Sequence, residues 1–522
     1  MVDGRGSNGS LSALTFLAGT PGLVFLDNRG RDFVYGLAFK LQEMQQRLAA
    51  CLIAPGRIAH MIEVRIRDSL GLGASLSGRF HAINFRAMKT GFIATFIAAL
   101  LIRLSFLGIW MHFSHGSWNG GSFEGGEMGS IAVNLFEGRG FSSPFFPGSA
   151  PTAWLCPVVP FLWSIVMRLQ GEATLATAKL LIFLQAIPSA LAVSLYWLIA
   201  KEIRLKHMEL SAHFPTAIAA VLALWPESLF RLGELWYFVW EECAVAALVL
   251  VGIKWLQRRT WSTAVWLGLI GGTLALINIA PVPFLVSVIV LPALSVKCDK
   301  REFVKTALLA CVIMLAIISP WLVRCRVRLG GFVPLRSNAG TELLQGNNAI
   351  DCIRQTDESL HPTNSRYEMQ RFNALGELQY NRIAFREALN YIRAHKVQTA
   401  IRIMKRIYVA WFTDIFDLWP NYKNQKWWNG GPFQFFSTLT TIVTALSTLS
   451  LTIFAIASGR LEALPFRWLL FTLLLLMPML HYFTVMEDSY TYVDRIWLAI
   501  IGAFAIFNSP RSALRLFRAQ VL

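Results

Sequence analysis

Residues 120–160, GGSFEGGEMGSIAVNLFEGRGFSSPFFPGSAPTAWLCPVVP, organise the rest of the chain. They begin with a glycine-rich loop that carries two carboxylates, Glu124 and Glu127. Apolar residues at positions i, i+4 and i+5 then predict a short helix that starts at Glu127 and ends at Gly138 and Gly140. Strongly apolar runs flank the stretch, so its carboxylates belong to a loop between membrane segments. The pattern favours an active-site mouth at a membrane surface.

The composition is that of a membrane protein. Of 522 residues, 55% are hydrophobic and only 15% are charged, and the mean hydropathy is +0.49. Soluble proteins carry about a quarter charged residues. Repeated apolar runs flanked by Lys or Arg indicate a polytopic α-helical protein. The net charge of +17 is concentrated beside these runs, which is the pattern of membrane orientation and argues against nucleic acid as a partner.

The apolar runs predict an all-α polytopic membrane protein with ten transmembrane helices. The run 157–169 is too short to cross a bilayer and predicts a re-entrant or interfacial helix. The ten predicted spans are about 90–111, 174–200, 214–231, 236–256, 262–279, 281–296, 303–323, 433–457, 466–484 and 495–509.

The distribution of basic residues predicts the orientation. Apart from the long region 324–432, the outward loops hold only Arg139 if the N-terminus is cytoplasmic. Under the positive-inside rule both termini are then cytoplasmic, and residues 112–156, 324–432 and 485–494 face outward. Fifteen basic residues fall in the cytoplasmic loops and tail: Lys201, Arg204, Lys206, Lys254, Arg258, Arg259, Lys297, Lys300, Arg301, Lys305, Arg460, Arg467, Arg511, Arg515 and Arg518.

The chain divides into four predicted parts. The first has no run long enough to cross a bilayer and reads as a cytoplasmic extension with short amphipathic helices; alternatively, translation begins at Met88 with a segment that resembles a signal-anchor. The parts are the basic cytoplasmic extension 1–87, the transmembrane region 88–323 with its outward loop 112–156, the extracytoplasmic domain 324–432, and the C-terminal transmembrane region and tail 433–522.

The seven cysteines show no CxxC or Cys/His spacing, so the sequence suggests no metal or redox site based on them. Cys325 and Cys352 both fall in the predicted outward domain. They either form a disulfide or remain free thiols, and the sequence leaves both possibilities open.

Two groups of polar residues are candidates for chemistry. Glu127 at a helix start is favoured by free backbone N–H groups, and it or Glu124 is a candidate general base; the alternative is that both are solvated acids on a loop. The second group, Arg336, Ser337, Asn338 and Asn347, combines a guanidinium with amides and a hydroxyl. Such groups bind phosphate oxygens and sugar hydroxyls, although ordinary turn chemistry explains them equally well.

Three stretches resemble the GT-C superfamily of membrane glycosyltransferases, specifically the bacterial group related to protein O-mannosyltransferases and the aminoarabinose transferase of lipid A. The first is GEMGSIAVNLFEGRGFSSPF followed by PTAWLCPVVPFLWSIVMRLQG. The second is FVPLRSNAGTELLQGNN, continued by HPTNSRYEMQRFNALGELQYNRIAFREALNYIRAH, and the third is HYFTVMEDSYTYVDRIW. Together they span roughly residues 112–509.

The resemblance implies a GT-C type fold and an integral-membrane enzyme that uses a polyprenyl-phosphate-linked sugar donor. The acceptor hydroxyl would belong to a lipid, a protein or a glycan, and the reaction would take place with inversion on the outer side of the plasma (inner) membrane. By motif position Glu127 resembles the catalytic carboxylate, and Glu124 is the second choice. No cofactor is required, although a divalent metal beside these two residues is possible.

The last outward loop departs from the family pattern. Relatives often read Arg-Tyr-Arg-x-Pro there, whereas Tyr490 is followed by no arginine until Arg495. The resemblance therefore implies that any contact with the lipid phosphate shifts to Arg495 or Arg336. Two other functions remain as alternatives: a polysaccharide polymerase or ligase, and a transporter or flippase of lipid-linked sugars.

Overall fold

The computed structural model describes residues 77–113, 126–145, 148, 150–294, 300–350, 353, 360–416, 446–486 and 488–508. They belong to a single compact unit of the chain. Most of the predicted cytoplasmic extension, together with Glu124 and Cys352, lies outside these residues, so the expectations for them stay predictions.

The described residues form helices and contain no strand; one isolated antiparallel bridge joins Ser142 and Pro151. The helices are α1 Ser77–Phe113, α2 Gly126–Phe136, α3 Val158–Gln170, α4 Leu175–Lys206, α5 Phe214–Ala223, α6 Pro226–Arg231, α7 Phe238–Arg258, α8 Trp261–Ile277, α9 Val282–Val290, α10 Lys300–Leu329, α11 Ala339–Gly346, α12 Arg366–Leu375, α13 Glu377–Ala394, α14 Lys396–Phe416, α15 Leu446–Ala457, α16 Arg467–Leu476, α17 Met479–Phe483 and α18 Tyr492–Phe507.

Three helices of the described chain are long and apolar enough to cross a membrane: Met88–Met111 within α1, Leu175–Lys206 and Lys300–Leu329. The helical membrane class predicted from composition fits this result, whereas the number of ten crossings stays a prediction. Helix α3 has 13 residues, so the run predicted to be too short to cross is indeed a short helix. Gly171 ends it in the left-handed conformation at φ 80°.

Prolines interrupt several of the predicted spans. The predicted span 214–231 is two helices, because the extended Trp225 separates α5 from α6 and Pro226 begins the second. The predicted span 466–484 is likewise divided at Pro478, between α16 and α17. Helix α9 ends at Val290 and gives way to a short 3₁₀ turn, Leu291–Leu294.

Small residues allow the long helices to pack closely. Helix α8 lies against α10, where a Cβ on Gly268 would come within 2.6 Å of the Ala310 carbonyl oxygen. A Cβ on Gly272 would lie 2.9 Å from Cβ of Ile317. These glycines allow backbone contact between apolar helices, which is the usual way in which helices associate in lipid.

Arg103, in the middle of the first span, faces the protein interior and is fully buried. Its Nε donates to Ser189 Oγ at 2.6 Å, and its Nη1 donates to the Ala223 carbonyl at 3.0 Å.

The predicted outward domain contains helices α11 to α14. Gly376, which has φ 73°, separates α12 from α13. Helix α11 packs closely on α13, where the Thr341 hydroxyl donates to Asn381 Oδ1 at 2.8 Å. Cys325 is a buried free thiol, so the structure shows no disulfide at this cysteine.

Candidate active site

Helix α2 forms where the sequence predicted it and presents Glu127 in its first turn. Gly126 precedes the carboxylate with φ 63°, and Gly138 and Gly140 follow the helix with φ 79° each. The opposite side of the helix is buried through Met128, Ile131, Ala132 and Leu135. Glu127 is therefore held at the edge of the packed helix, where unpaired backbone N–H groups favour its ionised form.

The partner of Glu127 is His361, a residue far away along the chain. His361 Nε2 lies 3.2 Å from Glu127 Oε1. The other ring nitrogen, Nδ1, lies 2.6 Å from the Thr363 hydroxyl oxygen, which fixes the orientation of the imidazole. The ring packs edge-on against Phe145 and Trp154, each at a centroid distance of 5.7 Å. His361 is thus buried, oriented, and positioned to donate from Nε2 to the carboxylate.

The two groups shift one another's protonation in opposite directions. Burial alone would raise the pKa of the Glu127 carboxyl, but the hydrogen bond and charge of His361, and then the charge of Arg336, hold that pKa below its ordinary value. Burial would lower the pKa of His361, but Glu127, and then Glu342, raise it above its ordinary value. Each group thus favours the ionised form of the other, the carboxylate of Glu127 and the imidazolium of His361.

Arg336 lies beside this pair and is held from one side. Its Nε donates to the Trp154 carbonyl at 3.0 Å, and its Nη2 is 4.0 Å from Glu342 Oε1. Within the described chain, Nη1 and Nη2 of Arg336 have no acceptor within normal hydrogen-bond distance. The terminal N–H groups of the guanidinium therefore remain available for an anion close to Glu127.

A second buried carboxylate, Glu377 at the start of α13, anchors the loop around the site. It accepts hydrogen bonds from the Thr152 hydroxyl, from the Ala153 backbone N–H at 2.8 Å, and from the Ser337 hydroxyl at 2.6 Å. Ser337 N–H in turn donates to the Ala153 carbonyl at 2.8 Å. Thr152 and Ala153 precede Trp154, so these bonds fix both Trp154 and Arg336 beside Glu127.

Arg324, at the end of α10, supports the same loop. Its guanidinium donates to the carbonyl oxygens of Phe141 and Thr152 and lies over the rings of Phe141 and Trp321, 5.2 and 4.9 Å from their centroids. The loop after α2 is in this way attached to a membrane-crossing helix as well as to the outward domain.

Three further predicted residues have structural partners. Ser337 binds Glu377, as described above. The side chain of Asn338 donates to Glu342 at 2.8 Å. Asn347 donates to the carbonyls of Leu343 at 2.9 Å and Phe483 at 2.8 Å. A contact of these side chains with a sugar or phosphate stays a prediction.

Tyr490 and Arg495 have other partners. Tyr490 stacks on His481 with ring centroids 4.0 Å apart. Arg495 is buried and forms a two-armed ion pair with Glu227, in which Nε is 2.9 Å from Oε2, and it also donates to the Thr491 hydroxyl at 2.8 Å. Since Glu227 occupies the fork of Arg495, the structure favours Arg336 over Arg495 for contact with a phosphate.

His361 and Glu377 are missing from the residues that the sequence nominated. Both lie inside the second of the resembling stretches, where no spacing rule distinguishes them from their neighbours. The proline that follows His361 marks a turn but says nothing about its partner. Only the folded chain shows that His361 meets Glu127 and that Glu377 meets Thr152.

The structure contributes little on metal binding. Among the described residues, no group of three or more His, Cys, Asp or Glu side chains is arranged to hold a metal ion. Glu124, which the sequence associated with a possible divalent metal, lies outside them, so that possibility stays untested.

Comparisons with known proteins give limited information. No known protein family matches the chain, and no curated protein matches it at a significant level. The apo crystal structure of the Archaeoglobus fulgidus oligosaccharyltransferase is similar to it with a TM-score of 0.45 and 17% identity, over 82% of this chain and 51% of that one. The chain therefore spans about half the length of that neighbour. A likeness of this extent does not establish a common fold and carries no argument for function.

The anchoring carboxylate generates a stability prediction. Glu377→Ala removes the acceptor of three buried donors, each of which costs about 1–3 kcal/mol when left unpaired, so we expect a clear drop in thermal midpoint in detergent. In Glu377→Gln the remaining carbonyl oxygen can still accept from the Ala153 N–H and the Ser337 hydroxyl, which share Oε1 of Glu377. Glu377→Gln should therefore lose much less stability. Equal losses in both variants would contradict the anchoring role.

Proposed function

We propose that this chain is a membrane glycosyltransferase that transfers a sugar from a polyprenyl-phosphate-linked donor to an acceptor hydroxyl on the extracytoplasmic side of the membrane. The acceptor is a lipid, a protein or a glycan. The observation that carries the proposal is the carboxylate of Glu127, which is paired with His361 at 3.2 Å and lies near the guanidinium of Arg336, whose Nε is held by the Trp154 carbonyl. The resemblance of residues 112–509 to GT-C enzymes supports the same reaction.

Glu127 acts on the acceptor in this mechanism. The acceptor oxygen bonds to the anomeric carbon of the sugar while the bond from that carbon to the phosphate oxygen breaks, and the hydroxyl proton passes to Glu127. Attack from the face opposite the leaving phosphate inverts the anomeric configuration. His361 keeps the carboxylate ionised and turned toward the site until the proton arrives.

A carboxylate of lowered pKa is adequate for this role. In glycosyl transfer the sugar carbon develops oxocarbenium character before the new bond is complete. The attacking hydroxyl becomes strongly acidic as that bond forms, so a weak base accepts its proton. Keeping Glu127 ionised over a wide pH range is then more useful than making it a stronger base.

Arg336 acts on the leaving group. A lipid phosphate is already a good leaving group and needs charge stabilisation rather than a strong acid. The Nε of Arg336 is held by the Trp154 carbonyl, so the direction of its free Nη1 and Nη2 groups is set before the donor binds. A planar fork of this kind makes two parallel bonds to phosphate oxygens.

Two other functions remain for comparison. A polysaccharide polymerase or ligase would use the same donor chemistry and would differ in its acceptor. A transporter or flippase of lipid-linked sugars would need no carboxylate–imidazolium pair. Assaying sugar transfer from a polyprenyl-phosphate donor with the detergent-solubilised protein separates the flippase from the enzymes, and varying the acceptor separates the enzymes from each other.

Glu127→Gln tests the proposed base. The amide keeps size and hydrogen-bonding shape but does not accept the proton, so turnover should fall by about 10²–10⁴-fold while donor binding survives. Glu137→Gln removes the same charge from the exposed end of the same helix and should leave turnover within a few-fold. Near-normal turnover in Glu127→Gln together with an inactive Glu124→Gln would move the base to Glu124, and activity in both would remove the mechanism.

Arg336→Lys tests the phosphate contact. Lysine keeps the charge but loses the fork, so kcat/KM for the donor should fall about ten-fold or more, on the order of 1.4 kcal/mol. Arg386→Lys, at an exposed position of α13, is the matched control and should change nothing. Unaltered donor use in Arg336→Ala would exclude this arginine as the phosphate ligand.

The Glu127–His361 pair predicts a shift in pH dependence. Because the pKa of Glu127 is lowered, turnover should be lost on the acid side only as pH falls below the ordinary range of a glutamate. His361→Gln keeps a donor to Glu127 but removes the positive charge, so burial is less opposed and the acid limb of kcat should move to higher pH. His395→Gln, at an exposed histidine, should leave the profile in place. An acid limb that does not move in His361→Gln would show that the two groups are not coupled.

A further inference from the structure

Helix α14 carries an apolar stripe on its exposed side. The stripe consists of Val397, Ile401, Met404 and Tyr408, which are exposed to 75%, 51%, 64% and 43%. Their spacings of four, three and four residues place them on one face. At 1.5 Å per residue the stripe is about 16 Å long.

The opposite face of the same helix points into the protein and carries two arginines beside the buried Val409 and Ala410. Arg402 and Arg406 are 1% and 0% exposed. Arg402 Nη1 donates to the Asn348 carbonyl at 2.7 Å, and Arg406 donates to the carbonyls of Gly346 and Tyr482. These arginines bind backbone oxygens at the end of α11, where the last turn of a helix leaves carbonyls without partners.

An amphipathic helix at the surface of a soluble protein packs its apolar face against the core and exposes its charged side chains to water. Helix α14 has the reverse arrangement. Long charged side chains are rarely buried unless paired, and here the buried arginines are hydrogen-bonded. Four large apolar side chains aligned on the exposed face of a helix indicate that this face is in contact with something other than water.

The C-terminal half of α14 contacts the end of one apolar helix and the start of another. The Thr491 hydroxyl donates to the Ala410 carbonyl at 3.0 Å, directly before α18 begins. Trp411 Nε1 donates to the Tyr482 hydroxyl at 2.9 Å, at the end of α17. Both α17 and α18 belong to predicted membrane spans, and the loop between them is predicted to face outward. This end of α14 is thus tied to the level at which the predicted spans leave the bilayer.

We propose that α14 lies in the headgroup region of the outer leaflet, with its apolar stripe inserted among the acyl chains. The occupant of this face is the phospholipid bilayer of the membrane that the chain spans. Lys396 is exposed beside the stripe, where a lysine lays its stem along apolar surface and reaches lipid phosphates with its ammonium group. This inference does not depend on the proposed reaction.

The test uses the full-length protein in nanodiscs of phosphatidylethanolamine and phosphatidylglycerol. A benzophenone amino acid is placed at residue 401 or 404, and at residue 386 as the matched control, an exposed position on α13. After irradiation, intact-mass and peptide analysis identify the adduct. We expect phospholipid adducts at 401 and 404, roughly ten-fold more than at 386, because only the stripe contacts acyl chains.

Each other outcome overturns the proposal and identifies the real occupant. Covalent dimers from residues 401 and 404 would assign the face to a second copy of the chain. Cross-links to residues 417–445 would assign it to the following segment of the same chain. Equal, low yields at 386, 401 and 404 would mean that the face meets water. In a second variant, Ile401→Asp, the lipid adduct at 404 should fall several-fold, since a carboxylate does not enter the acyl region; an unchanged yield would contradict insertion.

Discussion

The carboxylate of Glu377 joins segments that are distant in the sequence, and the geometry of the site depends on it. It accepts from Thr152 and Ala153 in the loop after α2 and from Ser337 ahead of α11. Its place at the start of α13, after Gly376 in a positive-φ conformation, directs it toward that loop. Because Trp154 directly follows Ala153 and Arg336 directly precedes Ser337, one buried acid positions both the aromatic wall and the cation of the site.

Near Glu377, the acidic and basic side chains of the site are present in similar number. Glu127 and Glu342 face Arg336 and His361, so the buried site contains acids and bases of similar number. Each ion has a partner nearby, which compensates the cost of taking it out of water. The consequence is a polar site in which a guanidinium with a fixed direction lies near a carboxylate whose ionised form is favoured.

Local features were predictable from the sequence and distant pairings were not. The helix carrying Glu127 followed from the spacing of its apolar residues and from the glycines at its ends, and the membrane class followed from composition. The pairing of Glu127 with His361 joins parts of the chain far apart, and periodicity contains no information about such contacts. Helix α14 shows another limit: the period of its pattern defines two faces, but Arg402 and Arg406 would ordinarily be assigned to the outer one. The structure assigns them to the interior because carbonyl oxygens at the end of α11 are there to receive them.

The wide separation of the site residues also has a consequence for biosynthesis. Glu127 is synthesised long before Arg336, His361 and Glu377. Until these residues have been made, Trp154 lacks the anchor that Glu377 provides, and burial of Glu127 would favour only its protonated form. A chain truncated before Arg336 therefore contains Glu127 without the residues that surround it in the folded protein. The order of synthesis delays assembly of this charged cluster until residues 336–377 have been made.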